Sequence, residues 1–235
     1  MGKLVIKWTR FDVSHKHDID RDAPYAWLFG ILIDLARVAR YRTRSASPEK
    51  KTDEPYFVIT RKATWPNLGF EKFGKGDWSN VPPGLDISEP TAHPMMVGVL
   101  VVMWEKALTS TATQRAAYDT AVATVDDFIA AQVDKVIDGL AEGKGLDLEV
   151  SAADTSALAS LVKAAVTDVF KKHVNLIHDN YIGEEHAVFN IEPGHDLGQH
   201  LDFRFVQFAT GIGGLITSET IATEYGLNGN IAYTP

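Results

Sequence analysis

The chain has 235 residues, of which 45% are hydrophobic and 23% charged, and its net charge is −8. That length suffices for one large domain with a proper core, and the negative balance argues against nucleic acid, whose recognition needs basic patches that displace counterions. There is no cysteine, which excludes disulfides, thiolate metal sites and thiol catalysis.

In chain order, the opening MGKLVIKW has no apolar run of signal-peptide length and reads as a strand over Lys3–Trp8, with Leu4, Ile6 and Trp8 on one face. Ile6 stands where an N-myristoylation pattern needs Ser or Thr. No stretch approaches the ~18–20 apolar residues of a membrane span. These features point to a cytoplasmic protein, or one exported without a cleaved signal.

The segment HDIDRDAPYAWLFG follows, from His17 to Gly30, with Asp18, Asp20 and Asp22 inside five positions. Like charges this close repel, and each raises the cost of ionising its neighbour. A bound cation removes that cost, and a solvated acidic loop is the alternative. YAWLFGILIDL, within Pro24–Leu35, is apolar without interruption, as a buried strand would be. Residues 37–53 are polar and basic and read as an exposed connection. PYFVIT at Pro55–Thr60 has the aromatic and β-branched content of a strand. Trp65–Pro94 is rich in Gly, Pro, Asn and Asp and predicts long loops with short strand pieces. MMVGVLVVMWE at Met95–Glu105 predicts a central strand.

From Ala112 to Ala141 the apolar positions Tyr118, Val122, Val125, Ile129, Val133, Val136 and Leu140 recur at steps of three and four, the signature of one helix face. Ser110 or Thr111 can cap its start and Gly143 or Gly145 its end. A second helix, capped by Asp154 or Thr155, carries Leu158, Leu161, Val162, Ala165, Val166, Val169 and Phe170 on its apolar face. The two form a helical hairpin. After Ile177, AVFNI, LDFRFVQFATGIGG and IATEYGLNGNIAYT alternate apolar and polar residues, with Asn228-Gly229 as a turn signal.

Three segments, DIDRDAPYAWL, VGVLVVMWE and DNYIGEE, occur in that order and resemble the calcium- and phospholipid-binding C2 domain. In that family an acidic loop precedes an Asp-Pro-Tyr-type strand, a later strand ends in an acidic residue, and an Asp-Asp-x-Ile-Gly-Glu-like segment follows. The resemblance implies an antiparallel eight-stranded β-sandwich with calcium carboxylates in loops at one end. Carried onto this chain, the ligands for Ca²⁺ would be Asp18, Asp20, Asp22, Glu105 and Asp179. The chain departs from the family in four ways. DAPY has one extra residue, Glu105 replaces an aspartate, Asn180 replaces a second acid, and the helical hairpin at 107–177 stands where the family has a short loop.

The other constellations are weaker. His195, Asp196, His200 and Asp202 in GHDLGQHLD could hold Zn²⁺ or Fe²⁺, and His15 and His17 flank Lys16, but the spacing fits neither a helix face nor strand alternation. There is no G-x-S-x-G nucleophile elbow, and GIGG at Gly211–Gly214 lacks the Lys and Ser/Thr of a phosphate loop. Trp65, Phe70, Phe73 and Trp78 alternate with Lys62, Lys72 and Lys75, a pattern that suits either a membrane interface or the plug of a sandwich edge. The expectation is a single mainly-β domain over 1–235, a C2-like sandwich with an inserted helical hairpin. Its expected role is that of a non-enzymatic, calcium-dependent binding module for a membrane surface or a protein partner. A metal-dependent hydrolase using His195, His200 and Asp202, and an interaction protein docking through the hairpin, are the alternatives.

Overall fold

A computed structural model describes residues 2–15, 23–34, 57–63, 76–81, 85–91, 95–106, 109–141, 152–173, 179–191, 195–208 and 222–235. The described residues are mainly β, in two antiparallel sheets with two helices. The strands are β1 (Gly2–His15), β2 (Pro24–Asp34), β3 (Phe57–Ala63), β4 (Trp78–Asn80), β5 (Ile87–Thr91), β6 (Met95–Glu105), β7 (Asn180–Ile191), β8 (Leu197–Phe208) and β9 (Ala222–Thr234). The helices are α1 (Thr111–Ala141) and α2 (Ala152–His173). The first sheet runs β4-β1-β9-β8, with β5 pairing β1 along the same edge as β4, and the second runs β3-β2-β6-β7.

The uninterrupted apolarity of β2 and β6 now has its reason, because both strands are buried on both faces. Ala26, Leu28 and Leu32 of β2 and Val97, Val99, Val101 and Met103 of β6 meet Leu4, Ile6, Phe11, Phe203 and Tyr225 of the first sheet in one core. On the opposite face, Tyr25, Trp27, Phe29, Ile31 and Ile33 of β2 and Leu100, Val102 and Trp104 of β6 pack under the helices. The molecule therefore stacks sheet on sheet on helices, with a core in each gap. Gly30 lets the sheets close, since a Cβ there would come within 2.5 Å of the Ile87 side chain.

The hairpin leaves the second sheet after β6 and returns as β7, and those two strands pair over their whole length, from Met95↔Ile191 to Glu105↔Asn180. In α1 the deepest positions are Ala117, Ala121, Val125, Ile129 and Val133, with Tyr118 and Val122 beside them. Small residues near the start of α1 let that end approach the tryptophans of the sheet, and Tyr118 lies 5.5 Å from the Trp27 ring. Ser110 caps α1, its Oγ accepting the Thr113 N–H at 3.2 Å. In α2 the buried line is Leu158, Val162, Val166 and Phe170, whereas Leu161, expected on this face, is 51% exposed. The helix begins at Ala152, so Asp154 is no cap but lies in the first turn, where its charge complements the helix dipole.

Asn228-Gly229 makes no turn and lies inside the single long strand β9. The register with β1 shifts there: Trp8 faces Gly229 and Arg10 faces Asn228, which leaves Thr9 as an extra, bulged residue. The bulge reverses the phase of β1, so that Leu4, Ile6 and Trp8 point inward before it and Phe11 and Val13 after it. A Cβ on Gly229 would sit 2.7 Å from the Trp8 ring and 2.8 Å from the Lys7 carbonyl oxygen, so close approach explains the glycine. The loop expected at 37–53, Gly211–Gly214 and the aromatics Trp65, Phe70 and Phe73 lie outside the described residues.

Candidate functional site

Register gathers the acid-bearing segments at one end of the second sheet. Pro24 of β2 faces Glu105 of β6, which in turn faces Asn180 of β7. The Lys106 N–H donates to the Ala23 carbonyl oxygen at 3.0 Å, tying the entry of β2 to the exit of β6. Asp22 immediately precedes Ala23 in the chain, although Asp18, Asp20 and Asp22 themselves lie outside the described residues. Glu105 and Asp179 are described, and they serve different faces. Strand alternation puts half-buried Glu105 on the side of Met103 and Val101, between the sheets, while Asp179 faces the helices. Among the described residues, no three His, Asp or Glu side chains gather as a metal ion would require.

Asp179 is 1% exposed and acts as a hub. Its Oδ2 accepts hydrogen bonds from the Tyr25 hydroxyl and from Gln114 Nε2, both at 2.7 Å, and its N–H donates to Thr109 Oγ1 at 3.0 Å. One residue thus joins β2 and the first turn of α1 through its carboxylate, and the segment entering α1 through its backbone N–H, to the start of β7. Burial, reinforced by the Asp179 charge and hydrogen bond, pushes the Tyr25 hydroxyl far above the usual phenol range, so it stays a donor. A chain of rings starts at Tyr25, which lies 5.9 Å from Trp27; Trp27 lies 5.5 Å from Trp104, which lies 5.2 Å from Phe170 and 5.3 Å from Tyr181. The Lys163 ammonium sits 4.5 Å above the Tyr181 ring. The sequence singled out Asp179 but not these partners. The signal available was Gln114, a polar residue on the same stripe as Ala117 and Ala121.

Further along β7, Glu184 and His186 face the helices, opposite Val102 and Leu100, and Glu185 faces the other way. Burial raises both Glu184 and Glu185 above the usual carboxyl range, with Lys163 opposing the shift at Glu184 and the Glu184 charge adding to it at Glu185. Burial lowers His186. Beside His186, a small apolar cleft of about 40 Å³ opens between helices and sheet, lined by Ile31, Met96, Leu100, Phe128, Leu158 and Val188.

The histidines considered as metal ligands lie elsewhere. His195 is exposed just before β8, and His200, also exposed, places Nδ1 3.3 Å from Asn230 Oδ1. Asp202 pairs with Arg204 Nε at 2.9 Å. Trp78, on β4, is 53% exposed with the Arg10 guanidinium 5.2 Å above its ring. Among the described residues, no helix is long and apolar enough to cross a membrane. No protein-family model matches the chain, and no curated protein matches it in sequence.

Proposed function

We propose that the chain is a non-enzymatic, C2-like binding module that takes Ca²⁺ at its acidic end and there engages a phospholipid surface. The observation that supports this most is the register Pro24↔Glu105↔Asn180, which sets the exit of the acidic segment beside Glu105 on neighbouring strands. Asp18, Asp20, Asp22 and Glu105 supply the hard oxygen donors that calcium prefers. Asp179 serves in this reading as the buried post that fixes the same strand ends, because its Oδ2 already accepts two hydrogen bonds. A chain of net charge −8 is repelled by an anionic bilayer, and calcium bound at one end reverses the sign locally.

Melting the protein in calcium and in chelator tests this. At free calcium of ~100 times the dissociation constant, one site adds roughly 2.7 kcal/mol, and magnesium adds much less because it demands a tighter octahedral shell. Asp22→Asn abolishes most of the calcium gain and slightly stabilises the calcium-free form, whereas Asp53→Asn does neither. Vesicles containing phosphatidylserine then sediment the wild type only with calcium. Identical melting in calcium and chelator overturns the reading.

A further inference from the structure

The outer face of the first sheet carries four strands in register, and no described element covers it. One row crosses it as Trp78 (β4), Asp12 (β1), Gly226 (β9) and Arg204 (β8), and the next as Asn80, Arg10, Asn228 and Asp202. Along β9 the outward positions 226, 228, 230 and 232 hold Gly, Asn, Asn and Ala. These short side chains make a low floor about 20 Å long at strand rise, between the longer side chains of β1 and β8.

Arg204 lies down across this floor: its Nη1 reaches Asp12 Oδ2 at 3.5 Å, and a Cβ on Gly226 would come within 2.6 Å of that Nη1. Asn228 Nδ2 donates to Asp12 Oδ1 at 3.4 Å, and Arg10 Nε stands 3.7 Å from the same oxygen. The result is a flat sheet of planar amide, carboxylate and guanidinium groups with a half-exposed indole at its margin.

We propose that this face binds a neutral, hydroxyl-rich carbohydrate, with Trp78 stacking on a sugar ring and Asn228, Asn230, Asp202 and Arg204 meeting its hydroxyls. Three observations select that ligand class. Trp78 remains 53% exposed even with the Arg10 guanidinium over its ring, where tryptophan is ordinarily mostly buried. The charges on this face nearly cancel, with Lys3, Lys7, Arg10 and Arg204 interspersed among Asp12, Asp202 and Glu224, so neither a polyanion nor a polycation is strongly favoured. The amides and paired ions offer donors and acceptors together, as vicinal hydroxyls require. This face belongs to the first sheet and Glu105 to the second, and the test is run without calcium.

Affinity electrophoresis through gels containing a soluble neutral β-glucan, a neutral mannan or an acidic polyuronide tests the proposal, each run in chelator. The expected result is retardation by a neutral polymer, weakened at least tenfold by Trp78→Ala and by Asn230→Ala, with melting temperatures unchanged. Retardation by the polyuronide alone, by none of the three, or equally in wild type and Trp78→Ala overturns it. The calcium reading is scored separately by melting, so either can fail without the other.

Discussion

The outer faces of the two sheets had opposite fates. That of the second sheet is tiled with Tyr25, Trp27, Phe29 and Trp104 and lies under two helices, whose buried stripes join it in one core. That of the first sheet is dominated by Lys, Asn, Asp and Arg, with Trp78 and Val206 left exposed, and no described element lies over it. Both sheets are antiparallel and centred on long strands, so the backbone did not decide which face was sheathed. The outward-pointing set of every second residue did. The outer face of the first sheet accordingly carries little of the packing and is free to vary its chemistry.

Substitutions on the sheathed side should be expensive. Trp104→Ala removes a ring packed between Trp27, Phe170 and Tyr181 and should cost about 3–5 kcal/mol in chemical denaturation. A loss below about 1 kcal/mol would show that helices and sheet are only loosely joined. Asp179→Ala should come next, at about 2–4 kcal/mol, because it strands the buried Tyr25 hydroxyl and Gln114 amide without their acceptor. Hydrogen exchange should then quicken in the first turns of α1 before it does in the strands of the first sheet.

The pH dependence is subtler. Glu184 and Glu185 have folded-state pKa values raised above their unfolded ones, chiefly by burial, so the folded chain holds protons that the unfolded chain has released. Their contribution is therefore present at acid pH and is lost as pH rises from the ordinary carboxyl range through the raised values. His186, lowered by burial, acts oppositely, and its contribution is lost as pH falls below the usual histidine range. Both carboxyls are only partly buried, so solvent screening keeps the effect below about 1 kcal/mol. The double change Glu184→Gln, Glu185→Gln should flatten the fall in melting temperature between acid and neutral pH, and an unaltered profile would contradict this. The smallest effect should belong to the bare face: Arg204→Ala breaks exposed ion pairs to Asp12 and Asp202 and should change stability by about 0.5 kcal/mol or less. A loss as large as that of Trp104→Ala would erase the contrast between the faces.

Much of the sheathed side was legible in the sequence. The 3–4 spacing of α1, the capping Ser110, the bounds of β6 and the unbroken apolarity of β2 are local patterns, and each led to the right element. The misread features depend on contacts distant in sequence. Asn228-Gly229 has the chemistry of a hairpin turn, but its glycine makes room for Trp8, on the strand at the other end of the chain. Asp179 stands out in the sequence as a carboxylate near a strand end, but its hydrogen-bond partners do not. Nothing in the order of residues announces that the hydroxyl of Tyr25, 154 positions away, is aimed at it. Leu161 looked buried because periodicity gives the direction of a helix face but not its width. At the acidic end, strand register was foreseeable for Glu105 and Asp179, but their assignment to opposite faces required the bulge at Met103/Trp104.

The excursion of the chain between β6 and β7 also has a kinetic meaning. β2 and β6 expose apolar rows on both faces until two other layers arrive, which makes their pairing a hazard while the chain is incomplete. β7 cannot join them until the helices have been made, whereas α1 and α2 need only neighbours close in sequence and form on the sub-microsecond to microsecond scale. The hairpin is thus available as a shield before the last strand of its own sheet exists. On this view its place in the chain, ahead of β7 and not after it, lets the most aggregation-prone surface of the protein be covered from one side while the first sheet still awaits β8 and β9.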